Sequence, residues 1–345
     1  MEYHSLKDTG RFLLVGSDAL DEAGFRRLSI AERDRLKREN GDAAWHARSS
    51  AGIQAKFSTD ARSIRVRVTL EAPASMESMS AMGQGGVDLY RFDEEDRTFR
   101  LLDVAGVPWT ATAYEADLGR FADGRMRRYV LNLPLYAAAV DVDLGVDDGA
   151  RIVPDAFSRH GRIAVYGTSI VQGGCVSRPG MAFTNILSRR FDREFLNFGF
   201  SGAAYCERTT AAILGSRRGL SLLAIDAEAN AGTSNLLAER LPDFIAEFRL
   251  AYPTLPILLV SRPAFAMDQY DADRIRHRSF YDGWFRTWCQ AEQGNGRRVA
   301  YLDGSVFYEG NDAEATVDGI HPSDLGHARI ADAYERAIRH LLGAE

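Results

Sequence analysis

The sequence predicts a two-part protein, a β-sandwich followed by an α/β domain built on a parallel sheet. Three observations carry this. Between about residue 45 and residue 150, apolar residues recur with a period of two and no long helical pattern intervenes. Turn residues such as Asp123-Gly124 and Asp147-Asp148-Gly149 separate those runs. From about residue 160, short apolar runs alternate with helical stretches, the pattern of a parallel sheet covered on both faces.

In chain order, Arg26 to Glu39 has the composition of a charged surface helix and carries no functional signal. Ile64, Val66, Val68 and Leu70 fall on one face of a half-buried strand within Ser63 to Leu70. Phe99 to Leu102 breaks its alternation and is a weaker strand; Tyr129 to Leu133 and Ala139 to Leu144 are stronger ones. In the second part, strands are expected at Ile163 to Tyr166, Phe195 to Asn197, Ser221 to Ile225, Ile257 to Val260 and Val299 to Leu302. Helices are expected at Ala182 to Phe191, Thr209 to Ser216, Ser234 to Ala251, Arg274 to Gln290 and Ser323 to Leu342. Crossovers between such strands are right-handed. There is no internal repeat or low-complexity segment.

Composition excludes several classes. With 345 residues, 46% hydrophobic and 26% charged, the chain is that of an ordinary globular protein. A formal charge of −6 argues against a general nucleic-acid binder, which needs a basic surface to displace counterions. No run of 18 apolar residues is present to span a bilayer, so no membrane partner is expected. The N-terminus lacks a basic region followed by a long apolar stretch, so no signal peptide is read. Cys175, Cys206 and Cys289 are odd in number and at no metal-ligand spacing. A cytoplasmic, reducing location without a structural disulfide or metal is the expectation.

Reactive groups in an open parallel sheet gather at the carboxyl ends of its strands. Four such places stand out: Gly167-Thr168-Ser169-Ile170, Asn197 through Gly202, Asp226 through Asn230, and Asp318-Gly319-Ile320-His321-Pro322. With these in hand the chain resembles the SGNH (GDSL-type) hydrolases. Ser169 lies in a Gly-x-Ser turn where that family usually has Gly-Asp-Ser, so Thr168 replaces the aspartate. Gly202 matches the glycine of the second block, Asn230 the asparagine of the third, and Asp318 and His321 the Asp-x-x-His of the last. Glu228 departs from the pattern, standing where the family usually has glycine. The resemblance is closer to a subgroup with a β-rich N-terminal domain carrying a Gly-x-Asp-Leu-Tyr signature, here Gly86-Val87-Asp88-Leu89-Tyr90; Gly167 to Pro179 also looks like that subgroup.

The resemblance implies a jelly-roll-like β-sandwich over residues 1–155 and a flavodoxin-like α/β/α sandwich, the SGNH hydrolase domain, over 156–345, with strand order 2-1-3-4-5. It also implies roles. Ser169 is the nucleophile, which needs an adjacent base. His321 is that base, returning the proton to the leaving alkoxide, and Asp318 fixes its tautomer. The backbone amides of Ser169 and Gly202 and the side chain of Asn230 are the oxyanion donors, and glycine at 202 lets the backbone approach the substrate. No metal or organic cofactor is implied.

Competing assignments are weighed as follows. His327, six residues after His321, is a structural histidine in the last helix rather than the base. Asp303 is the weaker orienting carboxylate beside the contiguous Asp318–His321 pair. Asp226 and Glu228, without a nearby histidine, read as cap or loop residues. Cys175 and Cys206 read as small buried thiols near each other. Gly167 and Thr168 beside the nucleophile are candidate substrate contacts; Arg178 is either a substrate contact or an ion-pair partner. Met76, Met79 and Met82 form either core or a flexible apolar lip, and in the second case residues 76–90 approach Ser169, with Met79 and Met82 limiting the acyl chain.

The function expected is a serine esterase removing small acyl groups, chiefly acetyl, from a carbohydrate or an acylated small metabolite. Thioester or lysophospholipid hydrolysis, acyl transfer to a sugar hydroxyl, and sugar binding by a dead hydrolase are the alternatives. The partner expected is a small-molecule ester; whether the chain forms a homo-oligomer is not encoded in these motifs.

Overall fold

The structure, a computed structural model, describes residues 1–21, 24–308 and 313–343. It divides into two compact units, Met1–Ser29 with Arg48–His160 and Cys175–Leu196, and Ile30–Ala47 with Gly161–Gly174 and Asn197–Glu345. Where the sequence reading draws one boundary, at 155/156, the chain passes repeatedly from one unit to the other.

The first unit is β-rich. One antiparallel sheet has the order Glu2–Ser5, Ala139–Val146, Ser63–Leu70, Ala113–Arg120. The other runs Ile152–Pro154, Gln54–Thr59, Arg127–Asn132, Val87–Asp93, Thr98–Ala105, with Leu13–Val15 also paired to Gln54–Thr59. Ile64, Val66, Val68, Val142 and Leu144 of the first sheet share one core with Phe57, Leu89, Tyr129 and Leu131 of the second. The two sheets therefore face each other. The period-two strand behaves as expected: its apolar face is buried, and on the other face Arg65 and Arg67 pair with Glu115. Each such fully buried aliphatic side chain contributes about 1.5–3 kcal/mol.

Charged side chains are buried at two places in this unit. Gln54–Thr59 is buried throughout, although it contains Lys56. The ammonium lies 2.8 Å from Asp192 and 3.6 Å from Asp155, and over the ring of Phe157 at 4.2 Å. A buried cation is tolerated because it is paired. Arg26 and Arg27, expected on a surface helix, are buried, and the helix forms only over Ile30–Lys37.

A five-stranded sheet, which lies in the second unit except for residues 194–196, has the order Glu194–Gly199, Arg162–Gly167, Leu220–Asp226, Ile257–Val260, Val299–Leu302, which is 2-1-3-4-5. Its registers are parallel from Arg162–Gly167 outward to Val299–Leu302. The strand Ile257–Val260 is wholly buried, as an apolar run in a parallel sheet should be. The order reverses at Arg162–Gly167, whose neighbours are Glu194–Gly199 and Leu220–Asp226. The carboxyl ends of these three strands lead into Ser169, Gly202 and Asn230. A crevice outside such a switch point is where open sheets of this kind bind ligands. Among the described residues no helix is long and apolar enough to cross a membrane.

Candidate active site

The nucleophile candidate sits on a tight strand-to-helix turn. A Cβ at Gly167 would meet the carbonyl oxygen of Asp226 at 2.3 Å and Val171 Cγ2 at 2.5 Å, so only glycine ends this strand without a shift. Thr168 then caps the short helix Ser169–Gln172, its hydroxyl accepting from the Ile170 N–H. Threonine thus anchors the turn through its own hydroxyl, where the sequence reading sees only a missing aspartate. Ser169 is itself buried, with 8% of its surface exposed.

Ser169 Oγ lies 2.9 Å from His321 Nε2. His321 Nδ1 lies 2.7 Å from Asp318 Oδ2, while Asp318 Oδ1 accepts the backbone N–H groups of His321 at 2.7 Å and Ile320 at 3.0 Å. Partial burial works against the Asp318 carboxylate, but these hydrogen bonds outweigh it and hold its pKa below the ordinary value. An ionised carboxylate on Nδ1 fixes the tautomer in which Nε2 carries the lone pair facing the hydroxyl. The three side chains thus form a continuous hydrogen-bonded line, in which the proton of Ser169 can pass to His321 while Asp318 stays ionised.

His327 is elsewhere. It is fully buried, its Nε2 is 3.1 Å from the carbonyl of Gly174, and burial pushes its pKa down to about 4. It holds the residue that follows the Ser169 helix and stays neutral. Asp303 pairs with Arg286 at 3.1 Å and caps the turn Gly304–Phe307.

The oxyanion candidates occupy the neighbouring strand ends. Neither the Ser169 nor the Gly202 N–H has an acceptor among the described residues. Gly202 has φ +66°, and a Cβ there would meet nothing within 4 Å. The glycine therefore serves the left-handed backbone, not a close approach within the protein. Asn230 Oδ1 accepts the Ala204 N–H at 3.0 Å. Of the two ends of the Asn230 amide only the oxygen can accept, so this bond turns the NH₂ away from Ala204, and that NH₂ has no acceptor among the described residues.

Several residues of this unit carry no readable sequence signal. Glu228, expected to be a cap or loop residue, is buried, accepts the Arg262 N–H at 2.9 Å and faces a guanidinium that is bidentate to Asp268 at 2.6 and 2.9 Å. Burial lifts Glu228 to a pKa of about 7 against the pull of Arg262. Asp226 is buried at its strand end, one oxygen bonded to the Tyr334 hydroxyl at 2.6 Å and the other without a partner among the described residues, and burial lifts it to about 7. From the N-terminal segment, the Glu39 carboxylate accepts the Arg208 and Thr209 N–H groups that open the helix Arg208–Ser216. Asn40 bonds the carbonyl of Ala203.

The remaining sequence candidates, Cys206 apart, lie in the β-rich unit. Arg178 pairs with Asp88 at 3.0 Å and donates to the Tyr90 hydroxyl, both in the Gly-x-Asp-Leu-Tyr strand. Asp88 also accepts the Gly180 N–H at 2.7 Å and Asn132 Nδ2 at 2.7 Å. Met79 is buried in a cluster with Ala51, Leu135, Val176 and Ala182, the core-packing alternative; Met82 is half-buried in the short helix Ala81–Gly85. Cys175 and Cys206 are buried free thiols.

Residues 160–339, just over half the chain, match the GDSL-like lipase/acylhydrolase family, and residues 4–152 match the GxDLY N-terminus of SGNH-hydrolase-type esterases. A protein described as a GDSL-like lipase from Bacteroides ovatus ATCC 8483 is similar in structure, with a TM-score of 0.88 and 25% identity over 99% of this chain and 98% of that one. A salicylyl-acyltransferase from a tetracycline biosynthetic pathway has a TM-score of 0.78 at 17% identity, over 99% of this chain and 97% of that one. A family two carbohydrate esterase from Clostridium thermocellum has a TM-score of 0.60 at 14% identity, over 86% and 94%. No curated protein matches the chain in sequence. With the Gly167-Thr168-Ser169 turn, the Asp318-to-His321 loop and a family match that spans them both, the chain belongs to the GDSL-like lipase/acylhydrolase family, with the N-terminal domain of SGNH-type esterases.

Proposed function

We propose that this protein is a serine esterase that removes small acyl groups, chiefly acetyl, from a carbohydrate or an acylated small metabolite. The observation that carries the reading is the Ser169–His321–Asp318 line, with contacts of 2.9 and 2.7 Å. Ser169 Oγ attacks the ester carbonyl while His321 Nε2 takes its proton. The carbonyl electron pair moves to oxygen, and the oxyanion is met by the Ser169 and Gly202 N–H groups and the Asn230 NH₂. Collapse expels the alkoxide, which takes the proton from His321 and leaves an acyl-serine. Water, deprotonated by His321, then attacks the acyl-serine, and Ser169 recovers its proton as the acid departs.

The acetyl-carbohydrate assignment draws on relatives of the same fold. These include a family two carbohydrate esterase from Cellvibrio japonicus and an acetyl xylan esterase from Butyrivibrio proteoclasticus. The acyltransferase of the same fold favours a second reading in which an alcohol, in place of water, takes the acyl group. Both share the acyl-serine.

The test is a screen of acetylated sugars and metabolites with mass spectrometry of the products, beside acetyl, octanoyl and thioester model substrates. Release of acetate from a sugar ester, with covalent labelling of Ser169 by a serine-directed phosphonate, is the expected result. Full activity in Ser169→Ala would exclude the mechanism. Products acylated on an added alcohol would select the transferase reading.

A further inference from the structure

The helix Ile30–Lys37 and the helix Gly41–His46 lie far upstream of every motif of the hydrolase family, yet they belong to the unit that holds Ser169 and His321. Asn40 joins them. Its Oδ1 caps the second helix, accepting the Ala43 N–H at 2.9 Å. Since the oxygen is committed to that donor, Nδ2 points away from it and donates to the carbonyl of Ala203 at 3.0 Å and to Glu207.

The Ala203 carbonyl and the Ala204 N–H are the two ends of one peptide group. That N–H is the donor that orients Asn230, at 3.0 Å from Oδ1. A single resonant amide therefore lies between Asn40 and Asn230, buried, with a hydrogen bond on each end. Resonance makes such bonds cooperative: a donor on the carbonyl strengthens the acidity of the N–H across the same plane, by roughly 10–30% per bond. The plane is also fixed geometrically, and it follows directly on Gly202.

We propose that Asn40 is a positioning residue for the oxyanion donors, acting through the Ala203–Ala204 peptide to hold the Asn230 amide with its NH₂ toward the reacting carbonyl. This deepens the esterase reading and rests on its assignment of Asn230. Asn40 touches no substrate in this scheme. Its effect falls on the developing oxyanion and not on ground-state binding, so it belongs in kcat. Glu207, which the Tyr166 hydroxyl faces at 3.3 Å, takes part of the Asn40 amide and keeps it from rotating.

Asn40→Ser separates this role from the helix cap, because serine is a good cap residue but too short to reach Ala203. With 4-nitrophenyl acetate as probe, kcat should fall about tenfold with KM changed less than about twofold, and the melting temperature should stay near that of the parent protein. Inactivation by a tetrahedral-forming phosphonate should slow in parallel. The double mutant decides the route: in an Asn230→Ala background, Asn40→Ser should cost little further. Asn40→Thr, likewise a cap residue but too short to reach Ala203, is the second variant and should show the same split. A full kcat in both Asn40 variants, or a loss equal with and without Asn230, would overturn the relay while leaving Asn230 in place. An unchanged kcat in Asn230→Ala alone would overturn the oxyanion assignment and the relay together.

Discussion

Asp318 uses one oxygen for the imidazole of His321 and the other for two backbone N–H groups, so the carboxylate is oriented before any substrate arrives. In Asp318→Asn the backbone bonds can persist through the amide oxygen, but the NH₂ group faces Nδ1 and selects the wrong tautomer. The expectation is a loss of about 10⁴-fold in kcat with little change in thermal stability. Steady-state kinetics and a melting curve check both halves. His327 makes a contrasting prediction. Its pKa is about 4 in the fold because of burial, against 6.5 in a model peptide. Above pH 6.5 both states are neutral and its contribution is fully present. As pH falls toward 4 the unfolded chain binds a proton that the folded one refuses, so stability drops by up to about 3 kcal/mol. Urea unfolding at pH 7, 5.5 and 4.5 should show this slope in the parent and a flatter one in His327→Gln.

Two elements hold charged groups where their sequence gives no warning. The strand Gln54–Thr59 encloses Lys56 between Asp192, Asp155 and the Phe157 ring. Removing one partner of a buried pair strands the other, so Lys56→Ala should cost about 3–5 kcal/mol, read from denaturant unfolding. The strand Leu220–Asp226 ends on a carboxyl with an oxygen unpartnered among the described residues, and burial raises it from 3.8 to about 7. Here the sign is opposite to that of His327. Between pH 3.8 and 7 the folded state keeps a proton that the unfolded state loses, so stability declines as pH rises through that window and is level above it. Asp226→Asn, whose oxygen can still accept from Tyr334, should therefore gain on the parent as pH goes from 4.5 to 8. Paired unfolding curves at the two pH values check this.

At the scale of the whole molecule, the order of segments matters more than the boundary between family motifs. The unit that holds Ser169 takes in Ile30–Ala47, and the segment Cys175–Leu196 belongs to the β-rich unit, where Asp88 holds Gly180 and Gln54 faces Ser188. A fragment of residues 161–345 lacks the first of these segments and carries the second without its partners. It should show no cooperative thermal transition and no esterase activity, although it contains Ser169, Asp318 and His321. Circular dichroism on heating, with 4-nitrophenyl acetate turnover, tests this. A cooperative, active fragment would show that the interleaving is dispensable.

The strands of the parallel sheet were legible in the chain because apolar periodicity is a local property, whereas their order and the meaning of the four strand-end blocks came from the family resemblance. The demotion of His327 was legible too, from its place inside a helical pattern. The departure at Glu228 was visible as a residue, but its meaning was not, because Arg262 and Asp268 lie more than thirty residues away in the chain. The same holds for Lys56, whose partners Asp155 and Asp192 lie far downstream in the chain, and for Asn40, whose partners are a carbonyl and a carboxylate over 160 residues downstream. Sequence by itself supplied the strands and, through the family resemblance, the candidates for the chemistry, since both are carried by side-chain type and short-range spacing. Tertiary structure alone decided which polar groups could be buried and which donors were left free to act, because a hydrogen bond is satisfied by whatever the folded chain brings within about 3 Å, and sequence distance sets no limit on that.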